Sequence, residues 1–279
     1  MVFMMSVHPL IHIKPRKGWQ LVDFAELKQY RDLFYFLNVR DIKVKYKQTI
    51  LGGLWAIIQP FFAMLVFTLF FGRLAKIPSD NIPYPLFSFS ALVVWTYFAN
   101  AVSAAGNSLV GDANLISKVY FPRLVIPLTP ITAGLLDFSI AFVFLLGFTF
   151  FYGIRISFSI LAVPLLILLA ALTAAGVGSF LAALNAKYRD VRYAIPFLVQ
   201  LWMFASPIVY PSSLLPERYR LLYALNPLAG IIEGFRAALL GTVPFPAAMV
   251  GVSATVALVL CLAGIFYFKQ TERYLADII

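Results

Sequence analysis

Charge is scarce in this chain. Only 12% of its 279 residues are Asp, Glu, Lys or Arg, and five stretches hold none at all: 49–72, 81–111, 156–186, 193–216 and 237–268. A sixth, 124–154, is interrupted only by Asp137. There is one cysteine, Cys261, inside the last of these runs, so no internal disulfide can form and the thiol reads as packing. Two histidines, His8 and His12, stand in the N-terminal tail with no cysteine or paired carboxylate beside them, so they read as solvated and no metal site is expected. No phosphate loop of the form GxxxxGKS or GxxxxGKT occurs, so the chain shows no energy source of its own. No group of paired carboxylates or histidines stands out, and no catalytic residue is assigned. Asp190, between Arg189 and Arg192, fits an ion pair that holds a loop better than acid or base chemistry.

What fills the uncharged stretches is apolar: 62% of the chain is hydrophobic. A hydrocarbon core of about 30 Å needs roughly 20 helical residues, and every run meets that length. Peptide groups in lipid must be bonded within their own segment, and the runs lack the alternation of barrel strands. The reading is an all-α, polytopic membrane protein with six transmembrane helices, at about 52–72, 87–110, 124–152, 158–184, 195–211 and 247–268. Residues 1–48 form a cytoplasmic N-terminal segment, and 49–279 the transmembrane domain. The first apolar run follows about fifty residues that carry nine Lys and Arg, which is the wrong layout for a cleaved signal peptide.

Charge sets the orientation. With the N-terminus inside, the inner segments hold 16 Lys and Arg and the outer ones 6, so both termini are expected in the cytoplasm. Between Pro211 and Pro246 five prolines cut the chain short, and Glu233 and Arg236 interrupt the helical portion "LAGIIEGFRAALLG". Short re-entrant or interfacial helices fit there better than a seventh span, with Glu233 and Arg236 paired at i,i+3. Upstream, Leu27, Tyr30, Phe34 and Leu37 recur at helical spacing. With Arg40, Lys43, Lys45 and Lys47 they read as an interfacial helix on anionic lipid or as a simple positive-inside anchor. The alternation in "IKVKYK" is equally strand-like.

Three further features bear on function. Asp137 is the only ionisable residue well inside a span, at a cost of roughly 3 kcal/mol if charged near the bilayer centre. It reads as a structural residue bonded to a neighbouring helix, or as a proton-coupling group. The aromatics Trp55, Trp95, Tyr97, Trp202 and Tyr210 read as headgroup anchors near span ends, or as flat rings lining a substrate path. The small-residue stretch "AALTAAGVGSFLAALNA" lets helices approach closely.

Four stretches carry a family resemblance: "NVRDIKVKYKQTILGGLWAIIQP" (38–60), "SLVGDANLISKVYFPRLVIPL" (108–128), "NAKYRDVRYAIPFLVQLWMFASPIVYP" (185–211) and "LNPLAGIIEGFRAALLG" (225–241). In order and location they resemble permease subunits of ABC transporters that export bacterial polysaccharides, the O-antigen and teichoic acid exporters. The resemblance implies a six-helix subunit of the bacterial inner membrane that pairs with a second copy of itself. It implies two copies of a separate ATP-binding-cassette ATPase, which bring ATP and Mg, and a lipid-linked glycan as substrate. This chain would hold no cofactor, and no nucleic acid partner is expected. The 112–123 loop, with Lys118, Tyr120, Phe121, Pro122 and Arg123, then suits a coupling helix seated in the ATPase, or else an ordinary turn. Arg40 and Asp41 would add a second ATPase contact. An ABC permease for a drug or lipid, or a proton-coupled carrier using Asp137, stands as the alternative.

Overall fold

The computed structural model describes residues 28–47, 49, 51–154, 158–188 and 190–278, with side chains to residue 272. His8, His12, Leu27 and Arg189 lie outside the described residues. All regular structure among the described residues is helical.

The helix α1 (Arg31–Tyr46) takes in the "IKVKYK" segment up to its last residue, Lys47, which caps it. Six residues of alternation are too few to choose between periods, and packing against a neighbouring helix decides for α. A short 3-10 turn (Gly52–Leu54) leads into α2 (Trp55–Phe67), which continues as a π-helix (Thr68–Leu74). Next come α3 (Tyr84–Gly111), the short α4 (Ala113–Lys118) and α5 (Val125–Phe151). A 3-10 turn (Phe158–Ala162) opens α6 (Val163–Lys187), followed by α7 (Val191–Phe204). The chain closes with α8 (Glu217–Tyr223), α9 (Pro227–Leu240) and α10 (Ala247–Ile278).

Five helical segments are long and apolar enough to cross a membrane: Gly52–Leu74, Tyr84–Gly111, Val125–Phe151, Phe158–Lys187 and Ala247–Glu272. The fifth of the six expected spans, over 195–211, is represented by a helix that stops at Phe204. Its 14 residues reach about 21 Å. Pro207 and Pro211 lie just beyond and cannot continue the hydrogen-bond ladder. The Asn226 side chain takes the freed Ala205 carbonyl at 3.0 Å, so the broken end is satisfied from another segment.

Among the five, α3 is the most buried and α2 the least. α3 packs against α2, α5, α6, α7 and α9, and α6 lies between α3 and α10. Lipid supplies no hydrophobic force between helices, so close packing must hold them. The small-residue stretch does this: a Cβ on Gly264 would overlap the backbone of Gly176, and one on Gly178 would meet Ala105 at 2.7 Å. α6 and α10 therefore cross backbone to backbone.

All fourteen residues of α9 are buried. Its ends are locally encoded. Asn226 caps the start by accepting from the Leu228 N–H at 3.1 Å, with Pro227 at the first position. Gly241 ends the helix at φ 60°, a left-handed conformation that glycine reaches without a Cβ clash.

Candidate functional site

The cytoplasmic half expected for α3 carries polar, uncharged side chains at helical spacing: Thr96, Asn100, Ser103 and Asn107. Asn100 is exposed and the other three are half-buried. On one side, α2 shares a small cavity with Val93, Thr96, Tyr97 and Asn100, to which it brings Trp55 and Gln59. On the other, α7 meets α3 where the Trp202 ring lies 5.1 Å from Phe98 and where Ile195 presses on Gly106. At 100° per residue the polar stripe falls between these two contact lines. α7 itself buries only Ile195 and exposes Tyr193, Phe197, Gln200 and Phe204. The result is an open lateral face, lined by hydroxyls, amides and aromatic rings, on helices that are otherwise apolar. Sequence reading by charge alone missed Gln59, Thr96, Asn100, Ser103, Asn107 and Gln200. Their signal was the spacing of 96, 100, 103 and 107.

The aromatics singled out from sequence do not share one surface. Trp55 is 52% exposed on the open face, whereas Trp95 is buried mid-helix against Phe98. Tyr97 is buried too, donating to the Ile131 carbonyl at 3.2 Å and packing on Phe138. Neither Trp95 nor Tyr97 stands at a helix end, so the headgroup-anchor reading does not fit them. Trp202 donates to Asn226 at 2.8 Å, and the Tyr210 hydroxyl donates to the Phe204 carbonyl at 3.0 Å. These two brace the break after α7.

Asp137 has partners on the N-terminal helix. Lys45 forms an ion pair with one carboxylate oxygen, and the Tyr46 hydroxyl donates to the other. One and a half turns earlier on α5, the Thr132 hydroxyl bonds Asn38 at 2.6 Å. α1 is thus strapped along α5. The acid lies beside Trp55, Gln59, Thr96 and Asn100 around a cavity of about 70 Å³.

Arg40 grips the start of the 112–123 loop. Its two terminal nitrogens each donate to one oxygen of Asp112 at 3.0 Å, and its Nε donates to Asp41 at 3.0 Å. The fork is the planar, bidentate geometry that suits guanidinium and carboxylate. Asp112, and secondarily Asp41, hold the guanidinium charged by raising its pKa. Of the expected loop contacts, Lys118 and Tyr120 face outward, Tyr120 at 77% exposure. Phe121 and Pro122 turn inward. Phe121 is buried in a cluster with Leu109, Ile116, Leu124 and Phe268, where an apolar ring is better placed than in water. Arg123 is engaged by Glu272 of α10, through its backbone N–H and its side chain, each at 3.1 Å. Asp190 makes no ion pair with Arg192 among the described residues, and Arg192 lies over the Tyr193 ring instead.

At the opposite end of the bundle, Glu233 and Arg236 pair at 3.2 Å on α9, as their spacing predicts. Glu233 also accepts from the Ser212 N–H at 2.8 Å, and Arg236 donates to the Pro207 carbonyl at 2.8 Å. The guanidinium carbon sits 3.6 Å from the centre of the Phe87 ring. Among the described residues, no group of three or more His, Cys, Asp or Glu is placed to hold a metal ion.

With this geometry in view, the comparisons with known proteins agree on one family. The family described as "ABC-2 type transporter" matches residues 32–240. The O-antigen export system permease protein RfbA of Myxococcus xanthus is 30% identical over 215 residues, covering 76% of this chain and 82% of the relative. A protein of the same name from Klebsiella pneumoniae is 27% identical over 250 residues, covering 89% and 95%. The polysialic acid transport protein KpsM of Escherichia coli is 25% identical over 213 residues, covering 73% and 80%. The matched region runs from the strap helix α1 through the open face to the end of α9, and the chain belongs to the ABC-2 type transporter family.

Proposed function

We propose that this chain is the permease subunit of an ATP-driven exporter that moves a lipid-linked polysaccharide, of O-antigen, teichoic acid or capsule type, across the bacterial inner membrane. The relatives' names support polysaccharide as the cargo. The observation that carries the mechanism is the open polar face between α2 and α7. Asn107 is already bonded to the Ser103 carbonyl and to Asn185, but lipid would leave the amides of Asn100 and Gln200 unsatisfied, so such a face needs water, substrate or a protein partner against it. Two copies placed face to face enclose a path whose amides bond sugar hydroxyls and whose rings, Trp55 and Tyr193 among them, stack on the apolar faces of sugars.

In this reading α7, with the broken segment after it, makes up the fifth of six crossings, the buried α9 is a re-entrant helix before the last, and both termini lie in the cytoplasm. Two copies of a separate ATPase bring ATP and Mg and dock below α4, against Lys118 and Tyr120. Closure of the ATPases pushes the 112–123 loop. The push passes through Asp112 and Arg40 to α1, and through Arg123 and Glu272 to α10.

The test is export in cells that depend on this gene. Asn100→Trp narrows the path without touching the loop, and it is expected to cut surface glycan at least tenfold while lipid-linked glycan accumulates inside. Normal surface glycan in a well-expressed Asn100→Trp strain overturns the assignment of the path.

A further inference from the structure

The far end of the bundle holds a second cavity, of about 260 Å³, which the transport path does not use. Five segments build it. The loop before α3 brings Asp80, the segment after α7 brings Ser212 and Ser213, α8 brings Arg220, α9 brings Glu233 and Arg236, and the turn after α9 brings Thr242, Pro244 and Phe245. These loops lie at the end of α3 opposite Asp112, so the cavity faces the side away from the coupling loop.

Its chemistry is specific. Two carboxylates and two guanidiniums line it, and their formal charges cancel. An anion or a cation would meet as much repulsion as attraction. A neutral polyol fits better, since carboxylates accept from its hydroxyls and guanidiniums donate to them. Both protein bonds to Glu233 use Oε1, and the bond from Ser213 to Asp80 uses Oδ1, which leaves a second oxygen on each acid. Arg236 is only 3% exposed, and its Nε is buried with no hydrogen-bond partner, although its other two nitrogens are taken. Nε itself has no exposed surface and the guanidinium sits against the Phe87 ring, so it is the second oxygens of Glu233 and Asp80 that are left for a ligand's hydroxyls. Pro244, Phe245 and Pro246 add apolar surface to the lining, suited to the carbon face of a sugar ring. Asp80 itself is held at φ 50°, an uncommon conformation for a residue with a side chain.

We infer that this cavity is a saccharide subsite, sized for one sugar unit, that receives the glycan on the outer side of the membrane. The inference rests on the export reading for the source of the sugar and for which side is outer, but the binding itself does not. A weak outer subsite would hold each emerging unit long enough to oppose backward sliding. Sugars bound this way exchange fast, as a moving polymer requires.

The test is saturation-transfer NMR on the purified full chain in lipid nanodiscs, with methyl α-glycosides of glucose, galactose, mannose and rhamnose at millimolar concentration. Transfer to the ring protons of at least one glycoside is expected. Thr242→Trp, at an exposed turn position where it fills the cavity without entering the core, is expected to reduce that transfer at least fivefold. Phe245→Ala is expected to weaken it several-fold, and a matching thermal midpoint for each variant shows that the fold is kept. No transfer for any of the four, or transfer unchanged in Thr242→Trp, overturns the subsite. Binding with unaffected glycan export in a gene deletion would overturn the export reading and leave the subsite standing, while export without binding would do the reverse.

Discussion

Removing the Glu233 carboxylate leaves Arg236 charged, buried and without its anion. Breaking such a pair from one side costs about 3–5 kcal/mol, because the remaining charge is uncompensated. Glu233→Ala is therefore expected to lower the thermal midpoint of the purified protein sharply, and Glu233→Ala with Arg236→Met to recover much of the loss. Asp137 is the opposite case. Its two carboxylate oxygens have separate partners, Lys45 and the Tyr46 hydroxyl, so removing its charge leaves no buried group without a hydrogen bond. Asp137→Asn keeps the bond from Tyr46, and it is expected to leave both the melting curve and the pH profile of export nearly unchanged. A pH optimum that shifts in Asp137→Asn would revive proton coupling through this acid.

At the scale of helices, the crossing of α6 and α10 has no room for a side chain. Gly264→Leu is expected to destabilise the protein by more than about 3 kcal/mol, since backbone rather than a flexible side chain stands in the way. Gly111→Ala, with open space around it, is the control and is expected to be neutral or slightly stabilising. Size-exclusion profiles and thermal melting of the two variants check this. The small-residue stretch on α6 pointed to that crossing directly, because small residues in an apolar run have one main use. The Glu233 and Arg236 pair was equally legible, being set by spacing within one helix. Other features depend on contacts far apart in sequence. The partner that takes Asp137 lies 92 residues away, and the one that forks onto Arg40 lies 72 away. Phe121 looked like an outward knob beside Tyr120, but its neighbour Phe268 comes from the last helix. The polar stripe on α3 was visible in principle, yet asparagine and threonine do not register in a count of charges.

For the whole molecule, the proposed function sets the exposed face of α7 against a second copy. Gln200→Cys in a Cys261→Ser background is expected to give a covalent dimer with a short bis-maleimide in native membranes, and a cysteine at Leu168, exposed on α6 away from that face, is expected not to. A monomer for both would leave α7 facing lipid and remove the paired arrangement. Lastly, the 112–123 loop is tied at one end by the Arg40 fork to α1 and at the other by Glu272 to α10. A load applied at Tyr120 is therefore shared at once by two helices far apart in the sequence. The subunit should turn as a stiff rocker, and loosening either tie should make the stroke slack without stopping the motor below it.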